Sequence, residues 1–448
     1  MSLPRYGEYK DSGERWLGAV PSHWQIHRLK NLFEIRKRIV GEDGHQVLSI
    51  TQRGIKVKDI ESNDGQLSMD YSKYQVVHPG EFAMNHMDLL TGFVDISPFA
   101  GVTSPDYRVF GVRDGVVCEP RYFLYLLQNG YRQKVFYAFG KGASEFGRWR
   151  FPTDQFNDFR FPCPPPAEQT TIAAFLDRET AKIDALIAEQ EKLIALLAEK
   201  RQATISNAVT KGLDPNAPMK DSGVMWLGEV PAHWEFAKLK RLCDRITDGA
   251  HISPETEAGI YSFVSTKDLC GDSIDFDGCL LTSAESFEYL QRTGCRPFVG
   301  DVLFSKDGTI GRTVVVSDER EFVVASSLII ITPTDALLDA EFLNYLCKST
   351  VISRQVDGFV KGAGLPRLSI QNLLKVFGVF PPVDEQRAIS EYLKAEDRKL
   401  DTLRAESERA IGLLKERRSA LIAAAVTGQI EVRGAVSAAH VAREGLTA

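Results

Sequence analysis

Two short segments combine basic side chains with glycine in a way that suits an anionic ligand. The first holds Lys141, Gly142, Ser144, Arg148, Trp149 and Arg150; the second holds Lys361, Gly362, Gly364, Arg367 and Ser369. Arginine can pair bidentately with guanine edges or phosphates, lysine meets phosphate as a point charge, and glycine lets a backbone approach a ligand closely. Lys141, Arg148, Arg150, Lys361 and Arg367 are therefore the candidate contacts to bases or phosphates. Catalytic patterns are missing. No G-x-x-x-x-G-K-[ST], H-E-x-x-H, G-x-S-x-G or G-x-G-x-x-G stands in a suitable context, and Asp307 to Gly311 reads as a turn between strands. The proline-rich segments at 164–166 and 381–382 lack the polar and aromatic partners of an amino-methyltransferase loop. Eight histidines do not cluster and seven cysteines contain no C-x-x-C pair, so no catalytic residue, metal ligand or cofactor site is assigned.

Each basic segment leads into a long helical run. From Glu168 to Thr210 there is neither proline nor glycine, and Ile172, Leu176, Ile183, Leu186, Leu193 and Leu197 follow a three-four spacing broken at Glu179 and Gln190. That period of about 3.5 residues predicts a coiled-coil helix. Pro164, Pro165 and Pro166 precede it, and Gly212 and Pro215 follow it. The run recurs 217 positions later, from Glu385 to Thr427, with Ile389, Leu393, Leu400, Leu403, Ala410, Leu414 and Leu421 in the seam and breaks at Glu396 and Ser407. A lone helix exposing such a stripe would be unstable, so the two copies are expected to pack together, antiparallel. Ile172, Leu176, Leu186, Leu197, Ile389, Leu393, Leu403 and Leu414 are assigned to packing or partner docking, with aspartate at Leu186 or Leu403 expected to unseat the pair.

A second repeat opens each half. Asp11 to Lys30 and Asp221 to Lys240 share twelve of twenty positions, among them Trp16/Trp226, Pro21/Pro231, His23/His233 and Trp24/Trp234. Internal duplication follows. The repeated aromatic, histidine and proline residues are read as anchors for the start of each globular region. Between this block and each helix, short strands are expected at 47–51, 80–83 and 107–112, then at 261–264, 301–304, 312–316 and 322–332, with helices at 120–128 and 340–348. The fold class is α+β. Five regions result: a globular region at 1–160, a long helix at 161–215, a second globular region at 216–380, a second long helix at 381–430 and a loosely ordered tail at 431–448. The globular interiors have diverged while the flanks have not, which describes one scaffold aimed at two targets.

The 448 residues are 44% hydrophobic and 25% charged, an ordinary globular composition. No apolar run reaches membrane-helix length, no signal peptide is evident, and a reducing cytoplasm is the expected location. A net charge of −6 does not by itself announce a nucleic-acid binder.

The block DSG-x-x-WLG-x-VP-x-HW, the PP-x-x-EQ approach to the long helix, and the pattern K-x-D-x-L, E-x-x-I-x-LL-x-E-R, A-V-T within it resemble the DNA-specificity subunit of type I restriction–modification systems. The resemblance is ordered, duplicated and spans nearly the whole chain. It implies two mixed α/β target-recognition domains, each reading half of a split site in double-stranded DNA, separated by an antiparallel coiled coil that sets the spacer. It also implies two modification (methyltransferase) subunits docked on that coiled coil, and two restriction (translocase–nuclease) subunits in the full complex. Adenine methylation and ATP-dependent cleavage, with S-adenosylmethionine, magnesium and ATP, would belong to those partners and not to this chain. Partner subunits would supply much of the phosphate neutralisation that an acidic chain lacks. The rival reading is a two-headed protein-binding adaptor on a rigid helical spacer.

Overall fold

The computed structural model describes residues 3–61, 68, 70–142, 149–252, 254–256, 259–360 and 366–434. Most of the tail expected to be loosely ordered, from 435 onward, lies outside the described residues. The chain forms two compact units: Met1–Gln190 with Arg409–Ala448, and Glu191–Glu408. Among the described residues no helix is long and apolar enough to cross a membrane.

The long helices run from Pro166 to Lys211 and from Val383 to Val426, 46 and 44 residues without a break. At 1.5 Å per residue each extends for roughly 65–70 Å. Proline at the first helical position costs no hydrogen bond, because that N–H would be unsatisfied anyway. Each helix stops at a glycine in the left-handed region, Gly212 with φ 74° and Gly428 with φ 76°. At Gly428 space enforces the choice as well, since a Cβ there would lie 2.4 Å from Cδ of Pro21.

Each unit combines the first half of one long helix with the last half of the other, so the helices are antiparallel within each unit. In unit 1, Ile172, Ala173, Phe175 and Leu176 share a core with Ile422, Ala425 and Val426. In unit 2, Ile205, Ala208 and Val209 share one with Ile389 and Leu393. Ion pairs repeat the exchange. Arg418 Nε lies 2.8 Å from Asp184 in unit 1, while in unit 2 Arg201 bonds to Asp401, and its Nε lies 3.3 Å from Asp397. Asp184 and Asp401, like Arg201 and Arg418, are repeat equivalents. Exposed pairs of this kind contribute only about 0–1 kcal/mol each, so they mark alignment more than they hold it.

The seam differs from the expected one at Leu186, Leu193 and Leu403. Ile172, Leu176, Leu197, Ile389 and Leu393 are buried and Leu414 is half-buried. Leu186 and Leu403 are not in the seam: they are 52% and 46% exposed. Thr180 and Ile183 are buried, Ile187 and Ile194 half-buried, and Leu193 is exposed. Apolar pairs such as Leu186-Ile187 and Leu193-Ile194 satisfy a three-four spacing in two ways. The seam through Thr180, Ile187 and Ile194 is the one that keeps Glu179 out of the interface.

The globular regions diverge in sequence but share a sheet. Unit 1 has a four-stranded antiparallel sheet in the order Phe33–Ile35, Arg108–Val112, Phe82–Met84, Val94–Ile96. Unit 2 repeats that order with Cys243–Asp248, Leu328–Pro333, Val302–Ser305 and Thr313–Val315. A helix follows in both, Pro120–Arg132 and Ala340–Lys348. The apolar run 322–332, expected as one strand, is two. Phe322–Val324 pairs parallel with Tyr261–Val264, the chain turns at 325–327, and Leu328–Pro333 enters the sheet. Strands buried on both faces read as one continuous apolar stretch, which hid the turn.

A two-stranded ribbon closes each globular region just before its long helix: Gln25–Arg28 with Arg160–Cys163, and Glu235–Lys238 with Phe377–Phe380. The opening block is then fixed to the helix's first turn. Glu168 accepts from Tyr6 Oη at 2.6 Å, His23 Nε2 at 2.8 Å and Trp24 Nε1 at 3.2 Å. Glu385 accepts from His233 Nε2 at 2.7 Å and Trp234 Nε1 at 3.1 Å. The next residues, Gln169 and Gln386, each accept a backbone N–H, from Glu119 and Asp339, and donate to Pro164 O and Pro381 O. The repeated His-Trp is thus an anchor, as expected from sequence.

A buried unpaired carboxylate is costly and an exposed one is not. Ile183→Asp is therefore expected to lower the thermal midpoint clearly, by the equivalent of several kcal/mol, and Leu186→Asp to change it by less than about 1 kcal/mol. Calorimetry on both variants checks this, and equal losses would restore the original seam.

Candidate nucleic-acid interface

The basic segments fall where the chain leaves the globular region for the ribbon. In unit 1, Lys141 and Arg150 face each other as an antiparallel bridge, with Lys141 N–H donating to Arg150 O at 2.9 Å and the reverse bond at 3.0 Å. Both side chains are exposed. Lys141 Nζ lies 3.9 Å from Asp154, too far for a strong pair. Arg148 lies outside the described residues. Trp149 props the segment: its Nε1 donates to Tyr137 O at 2.8 Å and its ring lies 5.3 Å from that of Tyr137. Only glycine fits at Gly140, where a Cβ would stand 2.1 Å from Trp149 Nε1.

In unit 2 the corresponding segment is held differently. Lys361 lies outside the described residues. Arg367 bridges to Asp307, and its exposed guanidinium forms an ion pair with that carboxylate at 3.1 Å. Asp307 sits in the expected turn between strands, where Gly308 and Gly311 take φ of 70° and 90°. Ser305 Oγ accepts from Arg312 N–H at 2.8 Å and donates to Thr309 O at 2.6 Å, fixing the turn.

Both segments dock on the residues that follow the sheet strand Phe82–Met84 or Val302–Ser305. Phe151 N–H donates to His86 O at 2.8 Å and Leu89 N–H to Trp149 O at 3.0 Å. Leu368 N–H donates to Lys306 O at 2.9 Å. The structure thus brings Lys141 and Arg150 together in one unit and sets Arg367 at the matching place in the other.

Beneath these loops the two units use unlike electrostatics. Unit 1 buries Arg108, which has no ion-pair partner among the described residues. Its Nη2 donates to Phe151 O at 3.0 Å and its guanidinium lies 4.4 Å over the Phe156 ring. Burial pushes Arg108 down to about 10, so it stays charged at neutral pH. Burial, then the nearby Arg108 and Arg150, push His86 down to about 3, so it is neutral there. Unit 2 instead buries Lys306, with Nζ 2.5 Å from Asp248. His86, Arg108, Lys306 and Asp307 were not picked out from the sequence. A half-buried histidine or a buried lysine has no local pattern, and Asp307 is sixty positions from its partner Arg367. Among the described residues no group of three or more His, Cys, Asp or Glu could hold a metal ion.

His86 gives the site a pH signature. Its proton affinity is lower in the fold than in the unfolded chain, so protonation favours unfolding. The stability it confers is complete above about pH 6.5 and declines toward pH 3, by up to roughly 1.4 kcal/mol per pH unit. Urea melts at pH 7 and pH 5 should show His86→Gln losing less stability on acidification than the unsubstituted chain. Parallel losses would mean that His86 is protonated in the fold.

Comparison with known proteins places this architecture. The model for the type I restriction modification DNA specificity domain matches twice, over residues 21–195 and 231–411. A putative type I restriction enzyme specificity subunit, MjaX, from Methanocaldococcus jannaschii is 21% identical over 438 residues, covering 93% of this chain and 96% of the relative. The MjaVIII specificity subunit of the same organism is 25% identical over 289 residues, covering 62% and 64%. A solved chain described under complex assembly and conformational transition of the type I R-M system shares the fold, with a TM-score of 0.61 at 18% identity, covering 91% of this chain and 98% of that one. The chain belongs to the family defined by the type I restriction modification DNA specificity domain, and carries that domain twice.

Proposed function

We propose that this chain is the sequence-reading subunit of a type I restriction–modification complex, with no catalytic residues or cofactor of its own. Each unit reads one half of an asymmetric bipartite site in double-stranded DNA. The paired long helices set the unread spacer and dock two modification subunits, and two restriction subunits complete the assembly. The observation that carries this reading is the duplicated scaffold with unlike loops. One sheet order and one anchor recur in both units, yet a Lys141–Arg150 bridge in the first is replaced by an Arg367–Asp307 pair in the second. A common frame with different edge chemistry suits two different half-sites, because base identity is read by the donors and acceptors that loops present. Lys141, Arg148 and Arg150 are proposed for one half-site, Lys361 and Arg367 for the other.

Genome-wide mapping of methylated adenines in cells co-expressing this chain with its modification subunit tests the reading. The expected result is a two-part motif with a fixed gap. Replacing residues 30–160 by those of another family member should change one half of the motif and leave the gap and the other half intact. If the subunits failed to associate, the proposal would give way to a protein-binding adaptor.

A further inference from the structure

In each unit the ribbon that precedes the long helix, with the residues beside it, carries a ridge of cations. In unit 1, Arg28 and Arg160 are opposed directly in the ribbon, and Lys30 follows two positions after Arg28. These three side chains, with Ser12, Ile26 and Asn31, line an open cavity of about 370 Å³. Arg113 joins them, its Nε donating to Lys30 O at 2.7 Å. Among the described residues, two carboxylates answer these four cations. Asp158 lies 2.8 Å from Lys30 and 3.4 Å from Arg28, and Glu14 lies 3.6 Å from Arg160. The cations remain 44–48% exposed at Arg28, Lys30 and Arg160.

Unit 2 repeats the ridge with partly different residues. Lys238 and Lys240 stand at the repeat positions of Arg28 and Lys30, and Arg241 follows. The repeat position of Arg160 is Phe377, an apolar residue, but Lys375 stands two positions before it. Glu235 pairs with Arg241 at 2.9 Å, Lys375 Nζ donates to Asn372 at 3.2 Å, and Lys238 Nζ lies 5.4 Å from the Phe377 ring centre. Lys238 and Lys240 have no ion-pair partner among the described residues. The positive excess is thus kept at one place in both units although its residues have changed, in a chain whose net charge is −6.

Resting on the function proposed above, we infer that these ridges hold backbone phosphates of the DNA duplex without regard to sequence, while the loops read bases. Lysine and arginine on a solvent-facing ribbon suit phosphates, and such contacts fix orientation without carrying base information. An acidic face of a protein partner offers the same charge, but the bound duplex is the one polyanion that both units would share.

The test uses the chain assembled with its modification subunits and two fluorescent duplexes, one with the mapped target and one without, titrated from low to high salt. The variants are Arg28→Ala/Lys30→Ala/Arg160→Ala and Lys238→Ala/Lys240→Ala/Lys375→Ala. Each should weaken both duplexes by the same factor, on the order of tenfold or more at low salt, and flatten the dependence of log affinity on log salt by about 2–3. The charge-keeping Arg28→Lys/Arg160→Lys should retain the slope. Unchanged slopes in folded, fully assembled variants would overturn the inference and leave the proposed function standing. Loss of modification subunits from the variants would also overturn it, assigning the ridge to a protein face. Changed preference between the duplexes would overturn it too, making the ridge a base reader. If the unsubstituted assembly showed no salt-dependent binding, both the inference and the proposed function would fall.

Discussion

The structure depends on a carboxylate in the first turn of each long helix. Glu168 is 6% exposed, a cost that its three donors help offset; among them burial and the adjacent carboxylate push the Tyr6 hydroxyl well above its ordinary value. Because those donors are Tyr6 and, within the opening block, His23 and Trp24, the carboxylate fixes where a globular region begins relative to the helix that follows it. Gln169 does the same for the helix Pro120–Arg132 through Glu119. Two consecutive side chains therefore tie the start of the globular region and its helix Pro120–Arg132 to one helical turn. Glu385 and Gln386 repeat the arrangement in unit 2, where Glu385 is more exposed and two side-chain donors reach it. Anchored this way, the segments at 141–150 and 360–368 can vary in sequence while the frame holds.

The sequence made the frame legible and the loops much less so. The repeat at Asp11 and Asp221 and the two proline-to-glycine helical runs define the scaffold, and the helix expected at 340–348 is the one observed. Local spacing failed where two neighbours were equally apolar, as at Leu186-Ile187, because a two-helix contact gives a sequence no third partner to break the tie. It failed again at 322–332, where two buried strands read as one. At the proposed interface, glycine and charge single out Lys141, Arg150 and Arg367, since such residues leave a local trace in the sequence. The Asp307 that pairs with Arg367 and the buried Arg108 leave none, because their meaning comes from residues brought near by the sheet.

The long helices are held mainly at their ends. Ile172 and Leu176 sink into the unit 1 core and Ile205 and Val209 into that of unit 2, whereas most side chains between residues 184 and 196 face water. A two-helix contact buries a narrow stripe, so helix propensity and end anchoring carry a large share of its stability. Exposed leucines at 186, 196, 403 and 413 lie on this thinly covered stretch.

The division of the chain also sets an order of events at the ribosome. Unit 2 is one continuous segment, Glu191–Glu408, and can close once Glu408 has emerged. Unit 1 cannot. Its core includes Ile422, Ala425 and Val432, Tyr122 Oη donates to Val426 O at 3.1 Å, and Glu431 N–H donates to Pro4 O at 2.8 Å. The part made first is thus completed last, and its apolar face around Trp24 and Tyr122 stays uncovered while some two hundred residues are added. Domains generally fold in the order of their synthesis, and exposed apolar surface is what chaperones bind. In this chain the contacts that complete the unit with the earliest residues come from the last long helix and the residues after it.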